Sequence, residues 1–154
     1  MRSVYRALAN LIAILVVVQA AMIAFAVAGL GIWVDQEGGV LDKAALESDP
    51  EFTGVVGFMI HGMNGMMLIP AVALVLLIVS FFAKVPGGIK WAGLVLLTVV
   101  VQVLLGLFGH ENAIFGLLHG INALVLFSLA LVAAKRVSIA PAASPSTAAD
   151  RGLV

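Results

Sequence analysis

The chain of 154 residues contains no cysteine, which excludes disulfides, thiolate metal sites and thiol nucleophiles. Charge is nearly as scarce. Asp, Glu, Lys and Arg make up 10% of the residues and cancel to a net charge of zero, where a soluble domain carries about 25%. Without a basic excess, nucleic acid is not a partner. No Asp or Glu falls inside the long apolar runs, which excludes a di-iron carboxylate site and a carboxylate proton relay. No glycine-rich phosphate loop follows a strand, and no Ser-His-Asp set can be assembled. What is plentiful is apolar: 63% of the residues are hydrophobic, with a mean hydropathy of +1.20. The lipid bilayer is the solvent such a composition fits.

A membrane-spanning helix needs about 20 mostly apolar residues. Four stretches qualify, at about 5–34, 52–83, 89–108 and 113–134, and are called spans 1 to 4 here. The expected fold is all-α, an integral membrane four-helix bundle running up-down-up-down, with a transmembrane domain over 1–136 and a disordered cytoplasmic tail over 137–154. The basic N-terminus and the Ala26-x-Ala28 pair have a flavour of a signal peptide. Their apolar run exceeds the 7–15 residues of a signal core, so span 1 is read as a retained helix. Arg2, Arg6, Lys84, Lys90, Lys135 and Arg136 flank one set of span ends. The other set carries Lys43 alone among Asp35, Glu37, Asp42, Glu47, Asp49 and Glu51. The positive-inside bias then puts both termini in the cytoplasm of a multi-pass cell-membrane protein, with Trp33 anchoring the outer interface and Trp91 the inner one.

The two halves of the chain repeat one another. Val16-Val17-Val18-Gln19 in span 1 returns as Val99-Val100-Val101-Gln102 in span 3, and His61-Gly62-Met63-Asn64 in span 2 returns as His119-Gly120-Ile121-Asn122 in span 4. Valine triplets are common in membrane sequence, but His and Asn are rare there. Two helical hairpins in the same orientation form a parallel repeat whose axis follows the membrane normal. In such a bundle spans 2 and 4 lie diagonally opposite. At 1.5 Å per residue His61 lies about 13 Å below the start of its span and His119 about 9 Å below its own. The pattern predicts two imidazoles at one level in the outer half of the bilayer.

Ionisable residues within a span are expensive, and function is their default reading. One use of His61, His119, Asn64 and Asn122 is interhelical hydrogen bonding. The sharper use is axial ligation of one haem b iron by both imidazoles, with Asn64 and Asn122 on the same faces. Gly57 and Gly62 beside His61, with Gly65 below, and Gly116 and Gly120 beside His119, with Ala123 below, would leave room for a porphyrin; close helix packing uses the same residues. Gln19 and Gln102 either bond between helices or touch a porphyrin edge or quinone. Each ring's second nitrogen is expected to donate to a carbonyl one turn earlier, near Gly57 or Phe115. Copper is the rival metal, since Met59, Met63, Met66 and Met67 surround His61 and thioethers suit Cu(I). Yet the repeat keeps His, Gly and Asn while putting Leu117, Ile121, Leu124 and Val125 in place of the methionines, as expected of apolar filler. Lys43 and His110 are the basic groups on the outer side for haem propionates. Ser80 and Ser128 are read as helix–helix contacts.

The run Gln102-Val103-Leu104-Leu105-Gly106, followed after a short turn by His119, resembles the Gln-x-x-Leu-Gly…His pattern of haem A synthases. The resemblance covers spans 3 and 4 and implies a haem-ligand position at His119, with His61 as its repeat partner. This chain has one bundle where the synthase has two, and Ile23 stands in span 1 where Gly106 stands in span 3, so the synthase reaction is not implied. The chain is also similar to uncharacterised four-helix actinobacterial membrane proteins. The expected function is a b-type membrane cytochrome for electron transfer or haem handling, not an enzyme by itself. A single haem in the outer half needs a redox partner protein, a quinone or a second copy in a homo-oligomer. The competing class is a cofactor-free scaffold or accessory subunit.

Overall fold

The computed structural model describes residues 1–48 and 50–139, and every regular element among them is helical. These are α1 (Arg2–Gln36), α2 (Lys43–Glu47), α3 (Val56–Met63), a π-helical turn (Asn64–Leu68), α4 (Ile69–Ala83), α5 (Gly88–Phe108), α6 (Ala113–Lys135) and a 3₁₀ turn (Arg136–Ile139). Four continuous helical runs, Arg2–Gln36, Val56–Ala83, Gly88–Phe108 and Ala113–Lys135, are long and apolar enough to cross a membrane. The second starts at Val56 rather than at 52. Gly54 stands just before it at φ +99, and a Cβ there would lie 2.8 Å from the Phe25 carbonyl oxygen, so the entry to α3 is a glycine turn pressed onto α1. The short α2 was not expected; the Asp42 carboxylate caps it by accepting from the Ala45 N–H at 2.8 Å. Of the expected tail, 137–139 belongs to the 3₁₀ turn and the remainder lies outside the described residues.

The long helices close a ring in which α1 packs against α3–α4 and α6, while α5 packs against α4 and α6. At one end the basic residues gather. Tyr5 is fully buried and donates to the Gly88 carbonyl at 3.1 Å, Arg2 donates to the Lys84 carbonyl at 3.2 Å, and the Arg136 guanidinium sits 4.8 Å over the Trp91 ring. At the acidic end Trp33 stacks on Phe52 with ring centroids 5.8 Å apart.

The core is strongly lopsided. Its buried cluster runs from the basic end to about mid-length and includes Tyr5, Ile12, Leu76, Val95, Val99 and Leu126. Ala9, Ala73, Ala92 and Ala130, one from each long helix, are all 0% exposed. Small side chains let helix backbones approach closely, which is how helices hold together in lipid. Toward the acidic end burial falls away, and no residue of α6 from Ala113 to Leu118 is buried. The buried positions of α1 and α5 run in step: Tyr5, Ala9, Ile12 and Val16 match Gly88, Ala92, Val95 and Val99.

Between α3 and α4 the step changes. Upstream, Gly57, His61 and Asn64 point inward, but the next core residue is Ile69, five positions after Asn64. In α6 the next core residue after Asn122 is Leu126, four positions on. The π turn absorbs the extra residue, with the Ile69 N–H reaching back to the Asn64 carbonyl. Pro70 explains its position. A proline ring has no N–H to give and collides with the carbonyl four residues earlier, here Met66, which lies inside the widened turn.

Enlarging the alanine layer should be felt at once. Ala92→Leu is expected to destabilise the bundle by about 1–3 kcal/mol, read as a lower denaturation midpoint in detergent, whereas Leu97→Ala, on a side chain 60% exposed, should change it far less.

Candidate functional site

Above the apolar core lies the polar level of the bundle, and it is built twice. His61 on α3 donates from Nδ1 to the Gln19 carbonyl of α1 at 3.1 Å; His119 on α6 donates from Nδ1 to the Gln102 carbonyl of α5 at 3.0 Å. A carbonyl can only accept, so both Nδ1 atoms carry a proton, and in the neutral rings both Nε2 atoms keep a free lone pair. The asparagines complete the clamps. Asn64 Nδ2 donates to the Leu15 carbonyl and to Gln19 Oε1, each at 3.2 Å. Asn122 Nδ2 donates to the Thr98 carbonyl at 3.1 Å and to Gln102 Oε1 at 2.6 Å. In each case His meets the glutamine backbone and Asn meets its side chain and the carbonyl one turn before it. Helical spacing dictates this: residues three apart share a face, and so do residues four apart on the facing helix.

The two clamps bring the imidazoles together across the bundle, with ring centroids 6.1 Å apart and planes inclined by 55°. Two imidazole nitrogens on one first-row metal lie about 2.0–2.1 Å from it on opposite sides, and adding each ring's radius puts the centroids about 6.3 Å apart. The observed 6.1 Å is close to that value and also lies within the range of about 4.5–7 Å for ordinary ring–ring contacts. Both are half-buried. Among the described residues no group of three or more His, Cys, Asp or Glu gathers as a larger metal site would need.

The hydrogen-bond partners of the rings differ from expectation. They lie on the neighbouring helix, at Gln19 and Gln102, instead of one turn back near Gly57 or Phe115. The glutamines are therefore the centre of the site. The signal for them was present in the sequence as the one polar residue each of spans 1 and 3 shares with the other. Gly106 also belongs to the site: a Cβ there would lie 3.0 Å from His119 Cε1, so the ring rests against bare backbone of α5.

The other glycines divide into two groups. A Cβ on Gly62, Gly116 or Gly120 would meet nothing within 4 Å, so no helix contact requires these glycines. Gly57 instead presses α3 onto α1, where a Cβ would overlap the Met22 carbonyl, and Gly65 gives way to the Gln19 amide. Met59, Met63, Met66 and Met67 are all exposed. Lys43 pairs with Glu47 at 3.8 Å, and His110 is exposed in the turn between α5 and α6. Ser80 and Ser128 bond within their own helices, to the Leu77 and Leu124 carbonyls, and join no helices.

The chain matches no family model, and it matches no curated protein or solved structure.

The glutamines should rank by the bonds they make. Gln102 also donates from Nε2 to the His119 carbonyl at 3.0 Å, so its amide serves two bonds across the helix pair and that of Gln19 one. Polar bonds between membrane helices average about 0.6 kcal/mol and reach about 1.7. Gln102→Leu is expected to lower the denaturation midpoint in detergent more than Gln19→Leu does.

Proposed function

We propose that this chain is a b-type membrane cytochrome that holds one haem iron between His61 and His119, serving electron transfer or haem handling. The observation that carries this reading is the pair of imidazoles 6.1 Å apart with each Nδ1–H tied to a carbonyl. A cofactor-free scaffold would use the same Gln–His–Asn hydrogen bonds. What favours a metal is that those bonds consume Nδ1 and leave Nε2, fixing the tautomer a ligand needs. When bound, the haem would supply one-electron chemistry at its iron. His61 and His119 would hold its iron; Gln19, Gln102, Asn64 and Asn122 hold the rings in orientation; Gly62, Gly116 and Gly120 add no side chains on the histidine helices. The exposure of all four methionines near His61 counts against a Met/His copper site. The likeness of Gln102 to Gly106 and His119 to the haem A synthase pattern points toward haem as well.

The matched clamps support a chain made of two like hairpins, related by an axis along the membrane normal. With Lys and Arg gathered at one end, both termini belong in the cytoplasm of a multi-pass cell-membrane protein, and the histidines in the outer half of the bilayer. From there a single haem needs a redox partner, a quinone or a second copy to move electrons across.

Two experiments test this. Purified protein supplied with haem should show the Soret and sharp visible bands of a reduced six-coordinate b-type haem. His61→Ala and His119→Ala should each abolish the six-coordinate spectrum; His110→Ala and the double variant Met63→Leu/Met66→Leu should keep it. Metal lost in the methionine variant, with no Soret band in the parent, would favour copper. For orientation, a reporter fused after Val154 should be active in the cytoplasm and one inserted near Glu47 outside; an external C-terminus would remove the parallel-repeat argument.

A further inference from the structure

The two histidines are not equally held, although the sequence pattern treats them as equivalents. His119 sits on α6, one uninterrupted helix of 23 residues that packs along both α5 and α1. His61 sits on α3, a segment of 8 residues bounded by the Gly54 turn and by the π turn that opens three positions after the histidine; it packs chiefly against α1. Wide turns in a helix mark places where its hydrogen-bond ladder can rearrange. The clamps differ in the same direction. Around His119 the Asn122–Gln102 bond is 2.6 Å, and Gln102 Nε2 also holds the His119 carbonyl. Around His61 the corresponding Asn64–Gln19 bond is 3.2 Å, and among the described residues Gln19 makes no bond to the His61 carbonyl. Asn64 is 7% exposed, and its Oδ1 is buried without a hydrogen-bond partner. An unsatisfied buried acceptor raises the energy of the closed arrangement relative to one in which α3 shifts.

Resting on the haem reading above, we infer that His61 is the exchangeable axial ligand and His119 the fixed one, so that the reduced iron binds a small neutral diatomic ligand in place of His61. The exchange transfers no electrons or protons. The bond from iron to His61 Nε2 breaks with both electrons returning to the nitrogen, and a bond from iron to the incoming ligand forms. Carbon monoxide is the probe, because it binds ferrous haem and needs a vacated axial position. His61 remains neutral when it leaves, since Nδ1 already carries the proton and keeps its carbonyl partner within reach.

The test uses the full chain in detergent, loaded with haem and reduced. The parent should take up carbon monoxide at a rate that levels off as the gas concentration rises, set by departure of His61. His61→Gly should retain haem as a five-coordinate species that binds carbon monoxide at least about ten-fold faster, and added imidazole should restore its six-coordinate spectrum. His119→Gly should lose most of its haem. Deleting Met67 removes the extra residue of the π turn, and should leave a six-coordinate spectrum while slowing carbon monoxide uptake about ten-fold. Should deletion of Met67 abolish folding, the two glycine variants decide alone. The inference is overturned by equal haem retention in those variants, by His119→Gly being the one that binds the gas, by a six-coordinate parent that refuses it, or by unchanged uptake in a folded Met67 deletion. A parent with no Soret band defeats the haem reading and this inference together, whereas a six-coordinate parent that fails the other comparisons defeats the asymmetry alone.

Discussion

In hydrocarbon a buried polar group has only protein to bond with, and the middle of this bundle is arranged around that constraint. Each imidazole gives its Nδ1–H to a glutamine carbonyl on the long helix that precedes it, and each asparagine takes up the same glutamine's side-chain oxygen. A helical carbonyl already accepts from within its own helix, but its second lone pair is free, so the bond costs the helix nothing. Rotation of either ring would break its one bond, slippage of α3 along α1 would break three bonds at once, and slippage of α6 along α5 would break four. Helix register, ring orientation and tautomer are therefore one choice, made in both halves.

The packing gradient follows from which residues flank that level. Toward the basic end alanine and β-branched residues bring the helices close, from Val16 and Val99 down to Ala9 and Ala92. Toward the acidic end the glycines at 62, 116 and 120 meet no neighbour, and the first turns of α6 are exposed. The bundle is closely packed at one end and looser at the other. Gly57 meets the α1 backbone at Met22, whereas a Cβ on Gly116 would meet nothing within 4 Å.

Much of this was legible in the residues. Four spans follow from apolar length, and the polar pairs Gln19 with Gln102 and His61 with His119 follow from the repeat. The glutamine side chains do bond between helices, one of the two uses the sequence allowed. Other features resisted. Gly57 and Gly62 are alike in sequence, and only their position relative to α1 separates a packing glycine from an open one. Pro70 was the mark of the π turn, but within a run of apolar residues it reads as a tolerated proline. The five-residue step from Asn64 to Ile69 acquires meaning only once the core face is known. The carbonyl partners of the rings were misplaced because intrahelical geometry was assumed where the facing backbone, one helix away, offered a better acceptor.

The apolar floor beneath the clamps closes one of the two axial approaches to the histidine level. Below Asn64 and Asn122, the inward positions are Val16, Ile69, Val99 and Leu126, then Ile12, Leu76 and Val95, with the four alanines among them. Thr98 keeps its hydroxyl on its own helix. Counting from Gln19 to Ala9, this plug is about 15 Å deep at 1.5 Å per residue. It offers no chain of donors and acceptors for a proton or a file of water. A proton or ion that reaches His61 and His119 along the bundle axis therefore has its polar route from the carboxylate-rich end and none through this plug.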